Sequence, residues 1–378
     1  MAYCYSLFFK YTHILSTPLG LSFFTFQQLW FLIEVWRGHV GTTNILDYSI
    51  FSLFFPTVSS GPILRHDKLL PQLNSIQHST WEDKSSGLYA IAVGLGKKVI
   101  LADSLGVMVA NGYTNVSVLG SHTAIMVILG YTLQLYFDFS GYCDMASGIA
   151  LMFGFKIPKN FNSPYRAISI TDFWKRWHIT LTDFLRECVY FPLGGSRKGH
   201  IRTLINILIV YLISGIWHGT GWTFLFWGAL HALAMIAERL LKKPLEYIPN
   251  AIRWILTFAY INIAWIFFRS ESLVQGFELL CAVFRPTLVS GSSLFSGVLS
   301  TEISVLTNLF SFLYNKTGLL LAAVLLGGGT IIVLWPQNLQ NKLENFRPTL
   351  WKSIVTVVLI IWSVLSFSGI STFIYSNF

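Results

Sequence analysis

The chain has 378 residues, of which 53% are hydrophobic, 16% aromatic and only 11% charged, and its mean hydropathy is +0.58. Soluble domains carry about 25% charged residues, so this composition argues against a soluble globular protein. Apolar segments recur from end to end without a polar linker. We therefore predict a single all-α integral membrane domain over residues 1–378.

The formal net charge of +9 is concentrated in one region. Residues 154–202 contain nine Lys or Arg and three Asp or Glu, which places +6 of the +9 there. Because basic loops stay on the cytoplasmic side of a membrane, this region is predicted to be cytoplasmic. A second role in binding an anionic acyl donor remains open. No basic stripe lies on a soluble module, so nucleic-acid binding is not expected.

In chain order, eight apolar segments are long enough, at ~20 residues, to cross a bilayer. They are 18–36, 86–110, 119–138, 203–218, 222–241, 251–268, 317–335 and 351–369. The stretch Leu53–Leu64 contains two prolines and a glycine, and we predict a broken or re-entrant element there. Tyr136–Gly148 is similarly predicted to be interrupted at Gly141. No cleaved signal peptide is expected, because the N-terminus lacks a charged region before an apolar run.

The segment Thr171–Cys188 is predicted to form one amphipathic helix at the membrane interface. Its apolar face, directed at the protein, holds Trp174, Trp177, His178, Leu181 and Leu185. Its polar face holds Lys175, Arg176, Thr180, Asp183, Arg186 and Glu187.

His178 and Asp183 together spell H-x4-D, a motif of the glycerolipid acyltransferases. On a continuous helix, residues five apart point about 140° away from each other. Asp183 is therefore predicted to lie on the polar face, where it could not orient His178. We interpret the match as coincidence.

His218 ends an apolar run between Trp217 and Gly219. A buried imidazole in a glycine-rich setting suits a general base, because its ordinary pKa of about 6.5 lies near neutral pH. The alternative, a structural histidine hydrogen-bonded between helices, stays open on spacing alone. For His231, packing in a later span is the favoured interpretation.

The charged residues within apolar segments receive structural interpretations. Lys97 and Lys98 are predicted to extend to the membrane interface. Asp138 and Asp144 are each predicted to pin a helix through a hydrogen bond, although acids at membrane depth often have functions.

The scattered cysteines indicate neither a disulfide framework nor a metal site: they are Cys4, Cys143, Cys188 and Cys281. The sequence contains no G-x-S-x-G or H-E-x-x-H motif, which argues against serine-hydrolase or zinc-protease chemistry.

Several motifs resemble those of the membrane-bound O-acyltransferase (MBOAT) family, specifically its bacterial alginate O-acetylation branch. They occur in order as PLGLSFFTFQ (18–27), FFPTVSSGPILR (54–65), GLGKKVILAD (94–103), YFDFSGYCDMASGIA (136–150), SITDFWKRWHITL (169–181), YFPLGGSRKG (190–199), SGIWHGTGWTFLFWGALH (214–231) and AWIFFRS (264–270). The PLGG-x-RKG piece is closer to the alginate type than to the teichoic acid D-alanylation branch.

The resemblance implies a polytopic helical fold in the bacterial inner membrane, with His218 as the active-site histidine and His178 as its partner across a central tunnel. It implies no bound cofactor and a thioester co-substrate, acetyl-CoA or a similar acyl donor, on the cytoplasmic side. In this branch the acetyl group passes across the bilayer to a periplasmic SGNH-type acetyltransferase that modifies a polysaccharide such as alginate. Lys175, Arg176, Arg197 and Lys198 are then predicted to contact the donor phosphates.

Two departures from the family pattern stand out. Family members usually have further hydrophobic segments before the element matched by Phe8–Tyr11, and this chain begins almost at that element. Cys143 occupies a position where the family more often has serine.

Alternative functions remain. The chain could transfer D-alanyl or another acyl group to a cell-wall polymer, or could be an inactive remnant that binds a partner. A non-enzymatic transporter would use broken helices and midplane acids. The sequence lacks the pair of similar halves that favours a transporter.

Overall fold

The computed structural model describes residues 20–74, 79–286, 291–310, 317–367 and 374. The motif Phe8–Tyr11 and the outer ends of the predicted segments 18–36 and 351–369 lie outside these residues. Three described helices are long and apolar enough to cross a membrane: Ser121–Met152, His200–His218 and Asn250–Arg269. These helices and the absence of named strands in the described part of the chain confirm the all-α membrane fold.

The helices of the N-terminal half are α1 (Leu21–Trp36), α2 (Ile45–Ser52), α3 (His66–Asn74), α4 (Trp81–Leu95), a π-helical turn (Gly96–Ala102), α5 (Asp103–Thr114), α6 (Ser121–Met152), α7 (Ile170–Trp174) and α8 (Ile179–Leu185). A second π-helical turn (Arg186–Tyr190) follows α8. Short 3-10 turns span Val116–Val118 and Pro164–Arg166.

The helices of the C-terminal half are α9 (His200–His218), α10 (Trp222–Leu240), α11 (Lys242–Glu246), α12 (Asn250–Arg269), α13 (Leu273–Ala282), α14 (Ser300–Leu309), α15 (Thr317–Leu321), a π-helical segment (Ala322–Gly328), α16 (Gly329–Leu334), α17 (Leu339–Leu343) and α18 (Leu350–Leu365). A 3-10 turn spans Gly291–Phe295. The described part of every predicted apolar segment is essentially helical. A helix satisfies the backbone N–H and C=O groups within the segment itself, as a membrane-spanning segment requires.

Helix α6 runs without a break through Gly141, so the predicted interruption of Tyr136–Gly148 is wrong. Gly141 instead permits close packing on the antiparallel helix α4. A Cβ atom at Gly141 would lie 2.8 Å from the Gly94 carbonyl oxygen, and one at Gly94 would lie 2.6 Å from the Gly141 oxygen. Gly87 and Gly148 make the same reciprocal contact, at 2.6 and 2.5 Å. These two glycine pairs bring the backbones of α4 and α6 into direct contact.

The stretch Leu53–Leu64 lacks regular helix beyond the end of α2, as predicted. Most of it is buried, including Ile63 and Leu64, so its irregular backbone lies against protein. Buried backbone of this kind needs specific partners, and the Ile63 N–H finds one in the Thr180 hydroxyl at 3.0 Å.

Lys97 and Lys98 do not reach an interface, so that prediction is wrong. The Lys97 Nζ lies 2.6 Å from Asp144 Oδ2, and the Lys98 Nζ lies 2.7 Å from both Asp138 Oδ1 and Asp103 Oδ1. The π-helical turn carries both lysines toward α6, where each meets an acidic partner. The prediction that Asp138 and Asp144 hold helices together is confirmed by these bonds.

Candidate active site

The segment after α6 packs against α9 and α10, and its backbone turns at His178. Near its start, the Thr171 N–H donates to Glu238 Oε2 at 3.0 Å, close to the C-terminal end of α10. Further along, the Trp174 indole N–H donates to His231 Nδ1 at 3.2 Å, two turns deeper along α10. The His178 ring then contacts Trp217, one residue from the far end of α9. His178 therefore lies at the inner end of this segment.

The prediction of one continuous helix over Thr171–Cys188 is wrong. Helix α7 ends at Trp174 and α8 begins at Ile179, because His178 adopts a left-handed conformation with φ 44° and ψ 54°. The predicted apolar face is buried throughout. On the predicted polar face Thr180 is buried as well, at 4% exposure, which the helical pattern did not indicate.

The left-handed residue is held by a short antiparallel pairing with residues 160–162. The Ile179 N–H donates to the Asn160 carbonyl oxygen at 3.1 Å, and the Asn162 N–H donates to the Arg176 carbonyl oxygen at 2.9 Å. A left-handed backbone is uncommon outside glycine and persists where the surrounding structure fixes it. This pairing fixes the position of the His178 side chain.

The Asn160 side chain lies beside His178, with its Oδ1 3.3 Å from His178 Nδ1. The same oxygen accepts from the Thr180 N–H at 3.1 Å and from the Thr180 hydroxyl at 2.8 Å. Asn160 Nδ2 donates to the Cys143 sulfur on α6 at 3.6 Å. Sequence reasoning missed Asn160 and Thr180, because neither belongs to a recognisable spacing and their contact is formed by the turn.

Aromatic rings enclose His178, which is 0% exposed. Its ring centroid lies 4.7 Å from that of Phe139, 6.1 Å from Phe23 and 6.2 Å from Trp217. His178 is not part of the three long apolar helices. Burial of its side chain lowers the pKa of the imidazole to about 3. The imidazole is therefore neutral at physiological pH and does not act as a cation toward donor phosphates.

His218 is the last residue of α9 and is 2% exposed. Its ring packs edge-on against Trp217 at 4.6 Å and against Trp227 and Phe268 at 5.1 Å each. Trp217 thus contacts both histidines, with ring centroids 6.2 Å from His178 and 4.6 Å from His218, so the structure brings the two imidazoles together around one indole.

Two glycines let α9 and α10 approach closely behind this indole. A Cβ at Gly215 would lie 2.5 Å from the Phe224 carbonyl oxygen, and one at Gly228 would lie 2.4 Å from that of Tyr211. Neither position could accept a side chain without moving backbone. The close approach holds the end of α9, and therefore His218, against the start of α10.

Two other predicted side chains, His231 and Asp183, have partners of their own. The His231 ring centroid lies 4.9 Å from that of Trp227, which also contacts His218. His231 is fully buried and accepts the Trp174 hydrogen bond, which confirms the packing interpretation. Asp183 pairs with Arg186 at 2.6 Å on the partly exposed side of α8. The sequence analysis predicted that this carboxylate does not orient His178, and its pairing with Arg186 agrees with that prediction.

The structure does not gather the four predicted donor-binding cations. Arg197 and Lys198 are exposed just before α9, whose 18 residue steps to His218 span about 27 Å. Arg176 Nε is paired with Asp172 Oδ1 at 2.7 Å. Lys175 is exposed and lines a cavity of about 590 Å³ with the basic residues Arg239, Lys242 and Arg253 and the acidic residues Glu238 and Glu246.

The model of the "MBOAT, membrane-bound O-acyltransferase family" matches residues 3–274, more than half of the chain. The peptidoglycan O-acetyltransferase of Helicobacter pylori is 38% identical over 303 residues, covering 72% of this chain and 57% of the relative. The probable alginate O-acetylase of Azotobacter vinelandii is 40% identical over 280 residues, covering 73% of this chain and 55% of the relative.

A more distant relative is the teichoic acid D-alanyltransferase of Bacillus subtilis, 28% identical over 285 residues, covering 68% of this chain and 70% of the relative. The chain spans just over half the length of the two more similar relatives. From the family model and these identities, the chain belongs to the membrane-bound O-acyltransferase family.

Proposed function

We propose that this chain is a multi-pass O-acyltransferase of the bacterial inner membrane that transfers an acetyl group from a cytoplasmic thioester toward a cell-surface or secreted polysaccharide. The observation that carries the proposal is the pair of buried histidines that both contact the Trp217 ring. Imidazoles are costly to bury in a membrane protein, which supports a chemical role for at least one of them.

In the proposed reaction, His218 is the general base. It removes the proton from an acceptor hydroxyl as the hydroxyl oxygen attacks the thioester carbonyl carbon. The carbon–sulfur bond breaks, and the departing thiolate takes up the proton that the imidazole received. His178, which shares Trp217 as a neighbour, binds and orients the donor or the acceptor. The surrounding rings exclude water, which would otherwise hydrolyse the thioester.

The donor is proposed to be acetyl-CoA or a similar thioester, without a bound cofactor. Its phosphates would meet the basic region that contains Lys175, Arg176, Arg197 and Lys198. Exposure of Lys175 beside three further cations at one cavity supports that site for the phosphates. The long separation of Arg197 and Lys198 from His218 limits them to the distal part of the donor.

The relatives named for alginate and peptidoglycan O-acetylation support acetyl transfer to a polysaccharide. A periplasmic SGNH-type acetyltransferase is the proposed partner that delivers the group to the polymer. Acyl transfer of D-alanyl to a cell-wall polymer is the second candidate, and it is favoured only by the more distant relative.

The test is donor-dependent transfer of labelled acetyl in membranes that contain the full chain. If His218 is the base, His218→Ala should lower the rate by on the order of 100- to 10,000-fold while the protein accumulates normally. His200→Ala is the matched control, because His200 is an exposed histidine at the other end of α9. A His218→Ala rate within a few-fold of wild type would remove His218 from the mechanism.

A further inference from the structure

The Asn160 carboxamide joins four separate parts of the chain at the His178 ring. It lies in the irregular segment after α6 and contacts Thr180 on α8 and Cys143 on α6. Thr180 in turn accepts from the Ile63 N–H in the irregular segment after α2. Asn160 is 0% exposed, so every one of these bonds forms away from solvent.

The direction of each hydrogen bond in this network can be assigned. A backbone N–H can only donate, so the Asn160 atom that faces the Thr180 N–H is the carboxamide oxygen. The Thr180 hydroxyl accepts from the Ile63 N–H, and it donates its own proton to the Asn160 oxygen because an amide oxygen can only accept. The Asn160 Oδ1, which accepts from both Thr180 groups, has no proton and can only accept from His178 Nδ1 as well. That nitrogen must then carry a proton.

We propose that Asn160 is a positioning residue that holds His178 in the tautomer protonated at Nδ1, with the lone pair on Nε2. The proposal rests on the proposed acyl transfer and adds a role within it. With its lone pair on Nε2, His178 accepts a hydrogen bond from the acceptor hydroxyl, and so aligns that hydroxyl with His218.

A neutral carboxamide suits this role better than a carboxylate. The rings of Phe23, Phe139 and Trp217 face the imidazole, and burial lowers its pKa. A carboxylate at 3.3 Å would favour the imidazolium, which has no lone pair to offer. An amide oxygen fixes the same ring geometry without adding charge.

The pH dependence of acetyl transfer tests this role. In Asn160→Asp, the added charge should raise the pKa of His178, so the acid limb of the activity profile should move up by about 1–3 pH units. Activity should be lost at low pH and recover as the medium becomes alkaline. Asn162→Asp is the matched control, since Asn162 is exposed two residues away, and its profile should overlay that of the wild type. An Asn160→Asp profile reduced equally at every pH would overturn the proposal.

A second measurement does not depend on activity. Nitrogen-15 NMR of ring-labelled histidine in the wild-type protein, with the His178 signals assigned by their loss in His178→Asn, reports which nitrogen carries the proton. The expected result is a protonated Nδ1 and an unprotonated Nε2. The opposite tautomer would refute the role of Asn160 even if His218→Ala abolishes transfer. The expected tautomer in a chain without transferase activity would instead refute the proposed function.

Discussion

Removal of one charge from the buried pair Lys97–Asp144 should destabilise the protein strongly. The Lys97 Nζ lies 2.6 Å from Asp144 Oδ2 and 3.4 Å from Ser140 Oγ, and the two charged side chains are only 10% and 4% exposed. Lys97→Met keeps much of the side-chain length but leaves the Asp144 carboxylate without its cation. An uncompensated charge at this depth costs about 3–5 kcal/mol.

The double variant Lys97→Met/Asp144→Leu should recover most of that loss, because no charge then remains to be solvated. The expected coupling energy is therefore several kcal/mol, measured from thermal or denaturant unfolding of the two single variants and the double variant in detergent. Asp183 and Arg186 provide the matched control, since their exposed pair should give a coupling of at most about 1 kcal/mol. Equal and additive losses in the Lys97 and Asp144 variants would refute the reasoning.

Two further predictions concern mechanism and orientation. Asp183→Asn should keep most of the acetyl transfer activity, because Asp183 pairs with Arg186 at the surface and does not contact His178. His178→Ala should lose most of that activity. Equally severe losses in the two inserted variants would restore the H-x4-D interpretation. A cysteine at the exposed Ser196, in a chain without native cysteines, should be shielded from membrane-impermeant thiol reagents in intact cells. Ready labelling from outside would reverse the assigned topology.

Apolar run length was sufficient to predict helix in the eight apolar segments, but not helices outside them such as α2, α3, α13 and α14. Apolar spacing was sufficient to predict the buried face of 171–188. Glycine was the source of one error, because the same residue can end a helix or permit close packing. Gly141 permits close packing, and this role is visible only from the position of Gly94 on another helix. Lys97 was misassigned for a related reason, since its partner Asp144 is 47 residues away.

The histidines could be selected from the sequence because a titratable ring is unusual in apolar surroundings. Asn160 could not, because a single asparagine in a loop has no periodicity and 18 residues separate it from His178. The left-handed backbone of His178 was also hidden, since the surrounding pattern suits a continuous helix. Both features depend on contacts made only after the chain folds back on itself.

The two glycine pairs between α4 and α6 have a consequence for how substrates could reach the histidines. Helix α6 contributes Phe139 and Cys143 to the surroundings of His178 and Asn160. With carbonyl oxygens set directly against the opposite backbone, α6 has no room to slide or rotate on α4. We therefore expect this wall to stay fixed during turnover. Entry of donor or acceptor would then require motion of another element around His178, such as α1, which supplies Phe23.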